Sequence, residues 1–140
     1  MTNGQIILVT GAAGFIGCRT ALDLLNSGHR VVGFDNINDY YPTAIKHARL
    51  AELTQHGGDR FIMVEGDLCD RDGLSAVFKE HRPERVCHLA AQAGVRHSID
   101  HPHDYQSSNL EGMLNILECC RRHETPRLVY ASSSSVYGRT

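Results

Sequence analysis

Short apolar runs alternate with amphipathic stretches along this chain. Five of the runs have the length of a strand and a largely apolar interior, which is typical of strands covered on both faces of a sheet. They occupy residues 5–10, 30–35, 60–65, 85–89 and 127–131. Because helical patterns separate the runs, the sequence predicts βαβ units and a mainly parallel sheet. The right-handed crossover rule then favours a doubly wound α/β sheet with strand order 3-2-1-4-5.

Four helical patterns connect the runs, and turn residues mark their ends. Gly28 supplies the stop of the first helix, and Pro42 suits the first turn of the second. Asp70 is a natural cap for the third helix, whose continuation is blocked by Pro83. The fourth pattern is the longest and predicts one helix from Pro102 to His123.

The turn after the first run is rich in glycine. It reads Thr-Gly-Ala-Ala-Gly-Phe-Ile-Gly over residues 10–17, between a predicted strand and a predicted helix. In this setting Gly11 permits a tight turn, Gly14 lets backbone amides approach a diphosphate, and Gly17 lets helix and strand pack closely. The helix N-terminus adds free N–H groups and the positive end of its dipole. The turn therefore predicts a dinucleotide-binding Rossmann fold.

An acidic residue, Asp35, ends the second run. Its distance along the chain from Gly17 is close to the roughly 20 residues that this fold uses. A carboxylate there accepts hydrogen bonds from ribose hydroxyls and repels a 2′-phosphate, and no Lys or Arg lies between Asp35 and Lys46. The sequence therefore favours NAD over NADP. The alternative is an ordinary glycine turn with Asp35 as a turn residue. Asp67 and Leu68, just after the third run, are placed to border an adenine.

Composition and charge narrow the class of protein. The chain has 140 residues, of which 41% are hydrophobic, and its net charge is −2 from 14 Lys+Arg and 16 Asp+Glu. This balance gives no electrostatic reason to expect a nucleic-acid or anionic-membrane partner. No apolar run approaches the roughly 20 residues that span a bilayer, and residues 1–4 do not begin a secretion signal. Five cysteines without a Cys-x-x-Cys motif favour a reducing compartment, so we expect a cytoplasmic location.

Several stretches together resemble a known family. Thr-Gly-x-x-Gly-x-x-Gly with Asp35 is similar to the extended short-chain dehydrogenase/reductase superfamily, and to its NAD-dependent epimerase/dehydratase family. Residues 34–41, 88–96 and 130–138 look like the UDP-glucuronate 4-epimerase branch. The resemblance covers essentially the whole chain. It implies the N-terminal NAD-binding domain, residues 1–140, of an isomerase of nucleotide-sugar and carbohydrate metabolism, which converts UDP-glucuronate to UDP-galacturonate by transient oxidation at C4.

The resemblance also implies roles for individual residues. The amides of Phe15 and Ile16 would contact the NAD diphosphate, and Asp35 would hold the ribose. Other cofactor contacts would come from Asn36, Asn38, Asp67, Leu68, Ala90, Ala91 and Gln92. Arg96 would point toward the UDP-sugar substrate. Ser133 matches the family's catalytic Ser/Thr, which hydrogen-bonds the sugar 4-oxygen.

Ser135 helps to distinguish the reaction expected of this chain from other reactions of the family. The family's dehydratases and decarboxylases place an acid at that position, and a hydroxyl is no general base at neutral pH without activation. Epimerisation is therefore favoured, with dehydration or decarboxylation as the alternative. Ser134 and Ser135 are our candidates for holding a substrate carboxylate.

One family element is missing from the sequence. The family transfers a proton through a Tyr-x-x-x-Lys pair, and these 140 residues contain none. We therefore expect the 140-residue polypeptide to be inactive alone, with the substrate domain and last strands absent. A non-catalytic NAD-binding module is the other reading. The family also implies a homodimer through the helix from Pro102 to His123, of which one helix of the usual pair is present.

Two clusters are given structural interpretations. His97, His101, His103 and Asp104 look like metal ligands. We expect Pro102 to interrupt the helix that would bring the first two imidazoles together, so the prediction is a solvated cluster and no metal. Cys119 and Cys120 point about 100° apart on a helix, which predicts one buried and one half-exposed thiol.

Overall fold

A computed structural model describes residues 4–138 of the chain. The expectation about a secretion signal concerns residues 1–4, of which residues 1–3 lie outside the described residues. Within residues 4–138 a parallel sheet of five strands forms the centre, in the order β3-β2-β1-β4-β5. The strands are β1 Ile6–Thr10, β2 Arg30–Asp35, β3 Phe61–Glu65, β4 Arg85–His88 and β5 Leu128–Tyr130. The predicted doubly wound α/β fold and its strand order are confirmed.

The register of the sheet aligns the carboxyl ends of its central strands. Thr10 at the end of β1 pairs with Phe34 of β2 on one side and with His88 of β4 on the other. Asp35 and Glu65 end β2 and β3 opposite each other. β2 lies on one side of β1 and β4 on the other, so the strand order reverses at β1. The turn that follows β1 therefore lies at the topological switch point, where ligands of such folds usually bind.

Six α-helices flank the sheet in the described residues 4–138. They are α1 Phe15–Asn26, α2 Thr43–Gly57, α3 Arg71–His81, α4 Val95–Asp100, α5 Pro102–Tyr105 and α6 Gly112–Arg122. The predicted caps hold: Gly28 has a φ of +86°, and the Asp70 carboxylate accepts the Gly73 N–H at 3.0 Å. The predicted long fourth helix is real but not regular, because a π-helical turn at Gln106–Glu111 separates α5 from α6. The short α4 was not predicted.

The side chains of β1 are buried on both faces of the sheet. Leu8 packs with Phe78 of α3 and Ile116 of α6, whereas Ile7 and Val9 belong to the core under α1 and α2. This alternation explains why the strand reads as one continuous apolar run. Leu8, Val9 and Phe78 are fully buried, and truncating such a side chain to alanine costs about 2–5 kcal/mol.

The cysteine side chains are arranged as predicted. Cys119 is buried and Cys120 is half-buried, and burial raises the pKa of Cys120 to about 11. Cys18 is buried, and Cys69 and Cys87 are half-buried. All five thiols are free. Burial is the largest influence that raises the pKa of each of them, so they are poor nucleophiles at neutral pH.

Exposed apolar side chains occur on the segment from α5 to α6 and on β5. Leu110, Leu114 and Leu117 follow one another at helical spacing and are 68%, 56% and 46% exposed. Val129 and Tyr130 of β5, the outermost strand on that end of the described sheet, are also exposed. None of the helices in residues 4–138 combines the length and the apolar character needed to cross a membrane.

Candidate functional site

A cleft opens at the carboxyl ends of β1, β2 and β4. It encloses about 840 Å³ of empty space, its open mouth included. Ten of the predicted cofactor residues line it: Gly11, Gly14, Asp35, Asn36, Asn38, Asp67, Leu68, Ala90, Ala91 and Gln92. The predicted residues Phe15, Ile16 and Gly17 follow directly at the start of α1. The sequence pattern and the topology therefore indicate the same place.

Close approach of backbone requires glycine at two positions of the turn. Gly11 has a φ of +71°, and a Cβ there would lie 2.9 Å from the amide nitrogen of Ala90 on the neighbouring strand end. A Cβ on Gly17 would collide with the carbonyl oxygen of Gly11. The first glycine thus lets β1 and β4 end side by side, and the second lets α1 start directly over the turn.

The amides of the turn divide into two groups. Gly11 and Ala12 donate to the Phe34 carbonyl at 2.8 and 3.4 Å, so they are used to tie the turn to β2. The amide of Cys18 donates to the Gly14 carbonyl at 3.0 Å. The N–H groups of Phe15 and Ile16, in the first turn of α1, have no helical acceptor and are left for an anion.

Asp35 is buried and both of its carboxylate oxygens are engaged. Oδ2 accepts the Ala13 N–H at 3.1 Å, and Oδ1 accepts the Ile37 N–H at 2.8 Å. Each oxygen keeps a lone pair for a further donor. This carboxylate therefore fixes the glycine turn and also presents acceptors to the cleft.

A buried ammonium group also faces the cleft. Lys46 is 5% exposed, and its Nζ donates to the main-chain and side-chain oxygens of Asn38 at 2.8 and 2.7 Å. The ring of Tyr41 covers the same nitrogen at 4.8 Å from its centroid. Sequence reasoning assigned no role to Lys46, but the start of α2 brings its side chain over the end of β2. Its role here is to hold Asn38 in the cleft wall.

Asp67 and Leu68 border the far end of the cleft. The Asp67 carboxylate accepts the Cys69 N–H at 2.8 Å and the Asn36 side-chain amide at 3.1 Å. These hydrogen bonds, the backbone one first, lower the pKa of Asp67 despite its partial burial. Leu68 is held by its carbonyl, which accepts from the buried Asn115 side chain at 2.7 Å.

A buried hydroxyl joins β1 to the end of β4. Thr10 Oγ1 accepts the N–H groups of Leu89 and Ala90, both at 3.1 Å. The same oxygen lies 2.7 Å from Nδ1 of His88. This arrangement sets the backbone that leads into Ala91 on the cleft wall. Burial lowers the pKa of His88, which keeps the imidazole neutral.

The backbone of Gln92 is held by hydrogen bonds, whereas its side-chain amide has a donor that is available to a ligand. Its N–H and carbonyl bond to Oδ1 and Nδ2 of Asn109, at 2.8 and 3.1 Å. Its Nε2 is buried in the cleft wall and has no hydrogen-bond partner among the residues that the structure describes. A buried amide donor without a partner fits a polar group of a ligand bound in the cleft.

The predicted substrate residues lie outside the cleft. Arg96 is exposed on α4, and Ser133, Ser134 and Ser135 are exposed after β5, at the same edge of the sheet as the cleft. The Ser133 hydroxyl accepts the Ser135 N–H at 3.1 Å and caps a short 3₁₀ turn. The structure does not bring these four side chains into contact with the cofactor residues.

The structure contradicts the expectation that Pro102 keeps the imidazoles of His97 and His101 apart. The rings of His97 and His101 stack at 4.3 Å between centroids, because the His101 N–H still donates to the His97 carbonyl at 3.0 Å. Pro102 ends the helix only after that bond has formed. Asp104 lies 3.4 Å from His97 Nε2, and His103 is not part of the group.

Several residues that line the cleft or support its wall were not identified from the sequence. Thr10 and His88 read as ordinary strand residues, and their pairing joins positions far apart in the chain. Lys46 reads as a polar residue of an amphipathic helix. Tyr40 and Ser108 come from a loop and from the π-helical turn, whose approach to the cleft has no local signal. Only the cluster of aromatic and amide residues at 36–41 is a usable hint in the sequence.

Comparison with known proteins decides the family. The sequence profile of the NAD dependent epimerase/dehydratase family matches residues 7–140. The chain belongs to this family. The resemblance drawn from the sequence is thereby confirmed, and NAD is the cofactor of the family.

Similar proteins match the chain over nearly all of its length. It is 50% identical to Protein CapI of Staphylococcus aureus over 132 residues, 94% of this chain and 39% of that protein. It is 47% identical to UDP-glucuronate 4-epimerase 4 of Arabidopsis thaliana over 137 residues, 97% of this chain and 31% of that protein. The chain thus spans about a third of the length of these relatives.

Solved structures of similar proteins share the fold. UDP-glucose-4-epimerase from Stenotrophomonas maltophila, with bound NAD and formylated UDP-arabinopyranose, superimposes with a TM-score of 0.85 at 30% identity, covering 97% of this chain and 39% of that one. UDP-glucose 4-epimerase from Bifidobacterium longum, in complex with NAD+ and UDP, gives 0.83 at 33% identity, covering 95% and 38%.

Proposed function

We propose that this chain is the NAD-binding domain, residues 1–140, of a UDP-sugar 4-epimerase that interconverts UDP-glucuronate and UDP-galacturonate. The observation that carries the proposal is the cleft itself. Its buried Asp35 and its open helix start at Phe15 match the ribose and diphosphate groups of NAD. The buried Gln92 amide, which has no close hydrogen-bond partner among the described residues, matches the amide group of NAD. The glucuronate preference is supported by the identity to plant UDP-glucuronate 4-epimerases.

Each cofactor residue acts by binding or orienting. The Phe15 and Ile16 amides hold the diphosphate, and the lone pairs left on Asp35 accept the ribose hydroxyls. Asn36 and Asn38 support that ribose, and the Asp67–Leu68 segment flanks the adenine. Ala90, Ala91 and Gln92 form the wall on the nicotinamide side. Bound NAD supplies a hydride acceptor that is regenerated in each cycle.

The serine run and Arg96 act on the sugar. The Ser133 hydroxyl hydrogen-bonds the sugar 4-oxygen, and Arg96 supplies a positive charge toward the substrate. Ser134 and Ser135 hold the glucuronate carboxylate, which discourages loss of CO₂ from the β-keto acid that forms when C4 is oxidised. These four side chains are exposed in the described structure, so they need a partner surface to enclose the sugar.

We also propose that the 140-residue polypeptide does not epimerise sugars by itself. No tyrosine in it stands four residues before a lysine, so the phenolate that would take the 4-hydroxyl proton is missing. In an active enzyme that pair, the substrate domain and the last strands of the sheet belong to additional polypeptide. The length of the relatives, about three times that of the matched segment, supports this.

A homodimer is proposed through α5 and α6. Leu110, Leu114 and Leu117 form an exposed apolar stripe on this helical segment, and such a stripe is typical of an interface rather than of a free surface. The cytoplasm is proposed as the location, on the basis of an odd number of cysteines and no Cys-x-x-Cys motif.

One experiment tests the proposed function directly. UDP-glucuronate is incubated with the 140-residue polypeptide and with the native gene product, and the sugars are separated and identified by NMR. We expect UDP-galacturonate from a native product that contains Tyr-x-x-x-Lys and none from the polypeptide. Release of CO₂ would replace epimerisation by decarboxylation, and a 4-keto-6-deoxy sugar formed in a parallel incubation with UDP-glucose would replace it by dehydration. A native product of 140 residues that binds NAD and turns over no sugar would establish the non-catalytic module instead.

A further inference from the structure

Three side chains of types that can bind metals lie together beside the cleft: His97, His101 and Asp104. Their ligand atoms all lie within 4.8 Å of one another, and His97 Nε2 is 3.4 Å from the Asp104 carboxylate. The backbone fixes this grouping, because the His101 N–H donates to the His97 carbonyl at 3.0 Å and the Asp104 N–H donates to the His101 carbonyl at 3.2 Å. The proposed function uses none of these three side chains.

The donor set selects a class of ion. Two imidazole nitrogens and one carboxylate suit zinc and its neighbours among the divalent transition metals, whereas calcium and magnesium prefer oxygen ligands alone. Ligand atoms about 2.0–2.2 Å from a tetrahedral ion stand roughly 3.3–3.6 Å apart. The His97–Asp104 pair already has this separation, and the exposed His101 ring is free to rotate into it.

We propose that His97, His101 and Asp104 bind one divalent transition metal ion, of the zinc class, with the remaining coordination filled by water. The site joins α4 to α5 across the break at Pro102. The sequence predicts a solvated cluster because Pro102 is expected to separate the two imidazoles. The structure places them together, so we replace that prediction with a metal site.

The ion site borders the nucleotide cleft. The Tyr40 ring, which lines the cleft, meets the His97 ring edge-on at 5.0 Å between centroids. The Tyr105 hydroxyl donates to the carbonyls of Ala93 and Gly94, on the segment that leads from the cleft wall into α4. A bound ion therefore stabilises the segment at the cleft mouth, and the thermal unfolding temperature of the protein rises with metal concentration.

The test is a titration of the reduced protein with Co²⁺, followed by calorimetry and visible absorption. We expect one ion per chain with the spectrum of nitrogen and oxygen ligands. His101→Gln and Asp104→Asn each weaken binding at least as much as the roughly 10- to 100-fold that loss of an outer-shell partner costs. The matched control is His103→Gln, which removes the adjacent exposed imidazole and leaves the affinity unchanged. Both test positions are exposed, and circular dichroism verifies the fold.

Three results would overturn the proposal. They are an unchanged affinity in His101→Gln, an equal loss in His103→Gln, and a thiolate-to-metal charge-transfer band, which would assign the ion to cysteines. Imidazole NMR signals give a second readout, since Zn²⁺ must shift the ring resonances of His97 and His101 and leave that of His103 in place.

Discussion

Thr10 Oγ1 and His88 Nδ1 lie 2.7 Å apart in the buried interior, where β1 and β4 end side by side. The hydroxyl oxygen already accepts two backbone N–H groups, so its own proton is the one that points to the imidazole. Nδ1 of His88 is therefore an acceptor, and the ring is neutral with its proton on Nε2. A protonated His88 would lose this bond and carry a buried charge.

Stability is expected to fall in mildly acidic solution for this reason. Burial lowers the pKa of His88 in the folded state, whereas an unfolded histidine titrates near about 6.5. Between the lowered pKa and that value the unfolded state binds more protons, so the free energy of unfolding decreases as the pH falls through this window. Urea unfolding at a series of pH values measures the slope.

A variant pair isolates the contribution of this histidine. His88→Asn keeps an acceptor for Thr10 but cannot be protonated, so part of the acid-induced loss should disappear. The control is His47→Gln, an exposed residue of α2, which should retain the slope of the parent. Identical slopes in the parent and in His88→Asn would contradict the prediction.

Thr10→Val should destabilise the protein although it keeps the shape of the side chain. The change leaves the Leu89 and Ala90 N–H groups and His88 Nδ1 without their shared partner, and we expect a loss of roughly 2–4 kcal/mol. Thr54→Val is the matched control, because its hydroxyl donates only to the Leu50 carbonyl on an exposed helix face. That change should stay within about 0.5 kcal/mol; equal losses in the two variants would refute the assigned role.

Asp35→Asn should weaken NAD binding and reduce the preference for NAD over NADP. Asparagine offers one acceptor oxygen in place of two, and bonds to a charged acceptor are worth about 1.5–3 kcal/mol, so we expect roughly a 10- to 100-fold loss of affinity. Isothermal titration with both dinucleotides measures it. Asp59→Asn, on the exposed turn before β3, is the control and should bind both as the parent does.

Leu117→Glu should convert the proposed dimer into a monomer. The substitution places a charge in the apolar stripe with Leu110 and Leu114, where pairing of two copies would bury it. Sedimentation velocity distinguishes the two states. Ile45→Glu, at a side chain equally exposed on α2, is the control and should leave the dimer intact. A parent protein that is monomeric at all concentrations would exclude this interface.

The sheet could be predicted because its signal is local. Each strand is a continuous apolar run, and the strands alternate with helices, so topology rules leave few arrangements. α4 gave no such signal: its Val95 and Ile99 side chains are 84% and 76% exposed, so no buried stripe marks the helix. The π-helical turn at Gln106–Glu111 depends on a shift of backbone hydrogen bonds that side-chain periodicity does not record.

The site residues that lie at the carboxyl ends of strands could be predicted from the sequence. Gly11, Asp35 and Ala90 each come directly after or at the end of a buried strand, and the cleft unites them. The contacts that hold the site were not predictable, because they depend on pairs brought together only by the completed fold. Lys46 is an example, since the geometry of the turn before α2 decides whether its ammonium faces solvent or Asn38.

The double attachment of Asp35 constrains any change of cofactor preference. Its two oxygens secure Ala13 on one side and Ile37 on the other, so a substitution that admits the extra phosphate of NADP also releases the loop that must receive the dinucleotide. A redesign for NADP, in the laboratory or in evolution, therefore has to supply new acceptors for these two amides before it supplies a cation for the phosphate.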